Sequence, residues 1–171
     1  MKKLVLGFVV AGILLAPVAV FAAETGKGYV DENSIKNQSV FRLEKARELV
    51  QAMKVKAEEI KVPMVLVVAD AAGDVVVLER MDGTLLVSLK IAYNKARTAA
   101  RIRLSTEDLA KFSVPGQSLY GIGNDPDIII FGGGIPLVHD GFVVGAVGVS
   151  GGSVEEDVAV AKAGVAAFEG K

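Results

Sequence analysis

Residues 132–157 read GGGIPLVHDGFVVGAVGVSGGSVEED, and this stretch decides the architecture. Asp140-Gly141 stands between two apolar runs, Ile135–Val138 and Phe142–Val149, which is the strongest short signal for a tight antiparallel hairpin. Just downstream, Ser153 is followed three residues later by Glu156, a pairing that closes a first helical turn from both sides, and the helix is expected to run to Phe168. Upstream, Ile128–Phe131 is another short apolar run before Gly132-Gly133-Gly134 and predicts one more strand. Residues 113–127, with Pro115, Pro126, three glycines, Asn124 and Asp125, predict a long loop.

The preceding half follows the same logic. Val40, Leu43, Ala46, Val50, Met53, Ala57 and Ile60 recur at three- and four-residue steps, an amphipathic helix capped by Ser39 and stopped before Pro63. Met64–Val68 and Val75–Leu78 flank Asp70-Ala71-Ala72-Gly73-Asp74 and read as a hairpin whose first strand is buried on both faces. Leu85–Arg103 has helical spacing, with Ala92, Ala96, Ala99 and Ala100 allowing close approach, and Ser105 opens a short helix to Phe112. Helix, two strands, two helices, three strands and helix predict an α+β layered domain: a five-stranded antiparallel sheet flanked by helices.

Composition narrows the chemistry. The chain has 171 residues, 51% hydrophobic and 23% charged, with a formal charge of −1 that argues against sequence-independent nucleic-acid binding. No cysteine is present, so thiolate nucleophiles, disulfides and Cys-rich metal sites are excluded, and His139 is the single imidazole. Lys2 and Lys3 precede an apolar run from Leu4 to Phe21 that ends in Val20-Phe21-Ala22-Ala23, the pattern of a signal peptide cleaved after Ala22. An uncleaved membrane anchor is the alternative, weakened by Gly7, Gly12 and Pro17. The division expected is a signal peptide at 1–22, a polar lead-in at 23–38 and one domain at 39–171, exported to the periplasm or the medium and free of the membrane after cleavage. Removing the leader leaves a charge of −3.

Three segments carry a resemblance. VVADAAGDVVVLERMDG, beginning at Val67, SLKIAYNKARTAA at 88–100, and GGGIPLVHDGFVVGAVGVSGG at 132–152, followed by Asp157 and AKAG at 161–164, together resemble the GlcG-like and haem-binding HbpS-like family. That family also supplies the C-terminal domain of PduO-type cobalamin adenosyltransferases. The resemblance implies a profilin- or PAS-like fold, homo-oligomers, and haem or a related tetrapyrrole as ligand. Many relatives carry a histidine after the glycine of the turn matching Ala72-Gly73-Asp74; here that residue is Asp74, so a histidine ligand from this turn is not open to this chain.

The candidate site residues are Lys95, Gly132, Gly133, Gly134, Met81 and His139. The glycines either bare the backbone to a ligand or simply allow a tight sheet turn. Lys95 shares a helix side with Ser88, Ala92 and Ala99, so it either meets an acid such as a propionate or snorkels over apolar surface. His139, beside the Asp140-Gly141 turn, is either an ordinary exposed hairpin residue or the default haem ligand, with Met81, Tyr93 and Tyr120 as weaker axial candidates. Ser150-Gly151-Gly152 before the last helix is read as structural first, and Asp70, Asp74, Glu79 and Asp82 as a solvated rim with some capacity for weak metal capture. No nucleophile–base–orienter set assembles. The expected function is an exported protein binding haem in a pocket between the 85–103 helix and the 132–136 loop. The alternatives are an enzyme or accessory protein acting on a small carboxylate, and a structural homo-oligomer.

Overall fold

The computed structural model of the protein describes residues 42–170. In chain order these form α1 (Leu43–Glu59), β1 (Val65–Asp70), β2 (Val75–Arg80), α2 (Ser88–Ile102), α3 (Thr106–Phe112), a 3-10 turn (Ile122–Asn124), β3 (Gly134–His139), β4 (Phe142–Ser150) and α4 (Val154–Glu169). The strands make one antiparallel sheet in the order β2-β1-β4-β3. Asp140 (φ 50) and Gly141 (φ 80) are both left-handed, the turn whose twist suits a two-residue hairpin between β3 and β4.

Alternation along the central strands separates two apolar layers. Leu66 and Val68 of β1 and Val147 and Val149 of β4 face α1 and α4, where Leu49, Val50, Met53 and Val160 complete the larger core. Val65, Val67 and Ala69 turn the other way, onto Ala92 and Ala96 of α2. β1 is thus buried on both faces, as its unbroken apolar run predicts. Full burial of Leu49, Leu66 or Met53 contributes about 1.5–3 kcal/mol each. Ser153 and Glu156 form the predicted capping box of α4, and Ser105 caps α3 through the Asp108 amide.

Small residues set the depth of the α2 layer. Val67, Gly148 and Gly134 lie in one row across the sheet. A Cβ on Gly148 would meet the Ala92 carbonyl and come within 2.6 Å of the Ala96 nitrogen; one on Gly134 would strike the Lys95 carbonyl. The helix backbone occupies the space that side chains would need.

Two expectations are corrected. The sheet has four strands among the described residues, because Ile128–Phe131 takes no place in it. Side chains of α2 hold the chain at and just before it: Asn94 Nδ2 donates to the Pro126 carbonyl (3.3 Å), Thr98 Oγ1 donates to the Asp127 carbonyl (3.3 Å), and within the segment the Ile129 amide donates to Thr98 Oγ1 (3.1 Å). The Ile128 amide donates to the Asp125 carbonyl (3.1 Å), so the amides of Ile128 and Ile129 are both taken outside the sheet. The helix preceding β1 begins at Leu43, with Arg42 at the N-cap and no side-chain cap; Ser39 and Val40 lie outside the described residues. So does the leader expected at 1–22. Among the described residues no helix is long and apolar enough to cross a membrane.

Candidate functional site

Lys95 is the largest fully buried side chain of the described chain. Its Nζ stands 2.6 Å from Asp157 Oδ2, donates to the Val149 carbonyl at 2.9 Å and lies 4.9 Å from the centroid of the Phe131 ring. Asp157 sits in the first turn of α4, where the helix dipole favours a carboxylate, and its Oδ1 accepts the Gly152 amide at 3.1 Å. Burial pushes the Lys95 ammonium below its ordinary value and the Asp157 carboxyl above its own; in both, the mutual hydrogen bond and charge act in the opposite direction. The acid that meets Lys95 is therefore the protein's own, and the pair ties α2 to α4 beneath the glycine segment.

Gly132, Gly133 and Gly134 are all buried. A Cβ on Gly132 would lie 2.6 Å from Val158 Cγ2; on Gly133, where φ is 115, it would lie 2.7 Å from the Val149 oxygen and 2.8 Å from Lys95 Nζ. Thr106 Oγ1 accepts the Gly134 amide at 2.9 Å, and the Gly133 carbonyl accepts the Val149 amide at 2.9 Å. Around these glycines the seam expected to be a recess between α2 and the 132–136 loop is filled, in the single chain, by α2, α3, α4 and β4. It is the close approach of helices that requires bare backbone there.

The other candidates lie apart. Met81 closes the end of the β1–β2 ladder: its amide donates to the Met64 carbonyl (3.0 Å) and its sulfur accepts the Met64 amide (3.4 Å). His139 is exposed at the tip of β3, on the sheet edge opposite β2, with Nε2 3.4 Å from Asp140 Oδ2. Tyr93 braces Arg97, and Tyr120 is exposed. The structure thus brings Lys95 and the three glycines together but neither Met81 nor His139 to them. Of the acidic rim, Asp70 Oδ1 accepts the Ala72 and Asp74 amides and closes its own turn, while Glu79 stands 3.8 Å from Lys54. Among the described residues no three His, Asp or Glu side chains gather as a metal site.

The described residues also carry two open depressions of note. The larger, about 920 Å³, is a groove between α1 and the edge strand β2, where Arg47, Gln51, Ala52 and Val55 face Val77 and Leu78, with Glu44, Glu48 and Glu79 along its rim. Sequence reasoning missed it. The signal was Val55, an apolar residue on the polar stripe of α1, which is 53% exposed. The smaller, about 290 Å³, lies on the outer face of α2.

Comparison with known proteins supplies the lineage. A family model described as haem degrading protein, HbpS-like, matches residues 41–166. A 15.0 kDa protein of Citrobacter freundii, from the dhaT-dhaS intergenic region, is 41% identical over 138 residues, 80% of this chain and 97% of that protein. The corrinoid adenosyltransferase PduO of the same organism is 39% identical over 123 residues, 71% of this chain but 37% of the enzyme, so the likeness there is to a part of a longer protein. Among solved structures, a PduOC:heme complex superposes with a TM-score of 0.72 at 36% identity, covering 74% of this chain and 94% of that one.

Proposed function

From the premise that this chain belongs to the HbpS-like family, we propose that it binds haem or a related tetrapyrrole, and that the α1–β2 groove is where it does so. The observation that carries the reading is the solved PduOC:heme complex, which shares the fold over nearly its whole length. The groove adds physical support. It is a shallow, open depression of about 920 Å³, broad enough to lie against one face of a flat macrocycle. Ala52, Val55, Val77 and Leu78 offer apolar surface to a flat macrocycle, and Arg47 offers a guanidinium to a propionate. The lining contains no imidazole or thioether, so the hold would rest on macrocycle contact and Arg47; of the rim carboxylates, Glu48 is engaged by Lys45 at 3.0 Å and Glu79 stands 3.8 Å from Lys54. Lys95 and the glycine segment support this reading as the clasp that fixes the sheet beneath α2, not as ligand contacts.

The chain is exported, on this reading, with residues 1–22 removed, and works as a homo-oligomer in the periplasm or outside the cell. Leu85, Leu86 and Val87, exposed side by side before α2, favour burial against another copy. Titration of purified protein with hemin tests the binding: a saturable Soret band at one hemin per chain, weakened about tenfold by Arg47→Glu, is expected. No saturable band, or a band indifferent to Arg47→Glu, overturns the ligand in the first case and the groove in the second. Cell fractionation with N-terminal sequencing tests export, the expected first residue being Ala23.

A further inference from the structure

The outer face of α2 carries the smaller cleft, about 290 Å³, which neither the buried ion pair nor the α1–β2 groove uses. One wall is Arg97, Arg101 and Ile102; the other is Asp125, Asp127 and Ile128. With Thr98, the lining thus joins two guanidiniums, two carboxylates and two isoleucines, a lining of balanced charge.

Both walls are held in place. Arg97 lies 3.4 Å from the Tyr93 hydroxyl and 3.5 Å from Asp127 Oδ2. Arg101 donates through Nε to the Ala72 carbonyl at 2.7 Å, which leaves its two terminal amino groups without a partner among the described residues. Gly73 (φ 83) lets the β1–β2 turn press on both: a Cβ there would stand 3.1 Å from Arg97 Cγ and 3.2 Å from Arg101 Nε. On the acidic side, Asn94 and Thr98 pin residues 126–129 to α2, and Asp125 Oδ1 accepts the Asp127 amide at 2.9 Å.

We propose that this cleft binds a small zwitterion, an α-amino acid with a short branched apolar side chain. The fork of Arg101 takes the carboxylate, the Asp125–Asp127 wall takes the ammonium, and Ile102 and Ile128 take the side chain. Arg97 already stands 3.5 Å from Asp127, so the cleft keeps charges of both signs close together, and a ligand that carries both engages the Arg101 fork and the acidic wall at once. The volume sits at the small end of ligand sites, about 300 Å³, which excludes a tetrapyrrole and makes this site independent of the groove.

Nitrogen–proton correlation spectra of the purified protein test it, following the Arg101 side-chain signal and the amides of 125–129. The probes are L-valine, 3-methylbutanoate, which is valine without its amino group, and isobutylamine, which is valine without its carboxylate. Valine is expected to move these signals saturably, and each truncated probe to bind about tenfold more weakly or worse. Arg101→Gln and Asp127→Asn each lose about tenfold in valine affinity while the spectrum elsewhere stays unchanged. No saturable shift with valine, equal binding of 3-methylbutanoate, or valine affinity untouched by both substitutions overturns the proposal.

Discussion

Lys95→Met isolates the role of the buried ion pair. The substitution keeps the stem's apolar contacts and removes the ammonium, so Asp157, 4% exposed at its side chain, loses the partner 2.6 Å away and retains a carboxylate in a dry seam. Breaking a buried pair from one side costs about 3–5 kcal/mol. Against a total stability of about 5–15 kcal/mol this is a large fraction. For a domain of this size it lowers Tm by roughly 10–20 °C, taking about 3–4 °C per kcal/mol. Asp157→Leu alone costs a similar amount, because it strands the Lys95 ammonium. Lys95→Met/Asp157→Leu removes both charges, and its loss is about 2–3 kcal/mol smaller than the sum of the single losses. Urea unfolding followed by far-UV circular dichroism on the four proteins gives the cycle. Additive losses, or a Lys95→Met cost below about 1 kcal/mol, would refute the assignment of this pair as the clasp between α2 and α4.

Further expectations concern the same layer. Because burial raises the folded-state pKa of Asp157, the folded chain holds that proton more tightly than the unfolded one, so this group's contribution falls as pH rises from the ordinary carboxylate range through the raised value. Lys95, lowered, gives the opposite slope on the alkaline side, where stability rises toward the ordinary lysine range. Wild type minus the Lys95→Met/Asp157→Leu variant therefore passes through a minimum between the two, and a maximum there in urea titrations over pH contradicts the directions. Gly148→Ala drives a methyl into the α2 backbone and costs about 1–3 kcal/mol or more; thermal melting checks it, and an unchanged Tm would mean α2 is not seated so closely. Thr98→Val strips the Ile129 amide of its acceptor, costs about 1–3 kcal/mol, and speeds hydrogen exchange at 125–129; unchanged exchange there would mean Thr98 does not hold the segment.

Local chemistry was well expressed in the sequence. Asp140-Gly141 marked the hairpin, Ser153 with Glu156 marked the start of α4, and the five apolar residues from Met64 marked a strand covered on both sides. Tertiary competition was not legible. Ile128–Phe131 looks like a strand by composition, but Thr98, thirty-one residues earlier, takes the Ile129 amide while Asn94 holds the Pro126 carbonyl just before it, and no periodicity within 128–131 announces that. The same limit governs the site. Small residues around Lys95 signalled close packing, yet whether the approaching body was ligand or helix depended on Asp157, which the spacing alone did not pair with Lys95. The α1–β2 groove was hidden because a helix's polar stripe reads as solvated surface, and Val55 alone among the large apolar residues lining it on α1 breaks that stripe.

A tetrapyrrole seated in the α1–β2 groove would shield the backbone of α1 and β2. Hydrogen exchange by mass spectrometry, with and without one equivalent of hemin, reads that position along the backbone directly. Slowed exchange concentrated in residues 44–55 and 77–79 is the predicted outcome. Protection confined to 132–136 and α2, with those two segments unchanged, would contradict it.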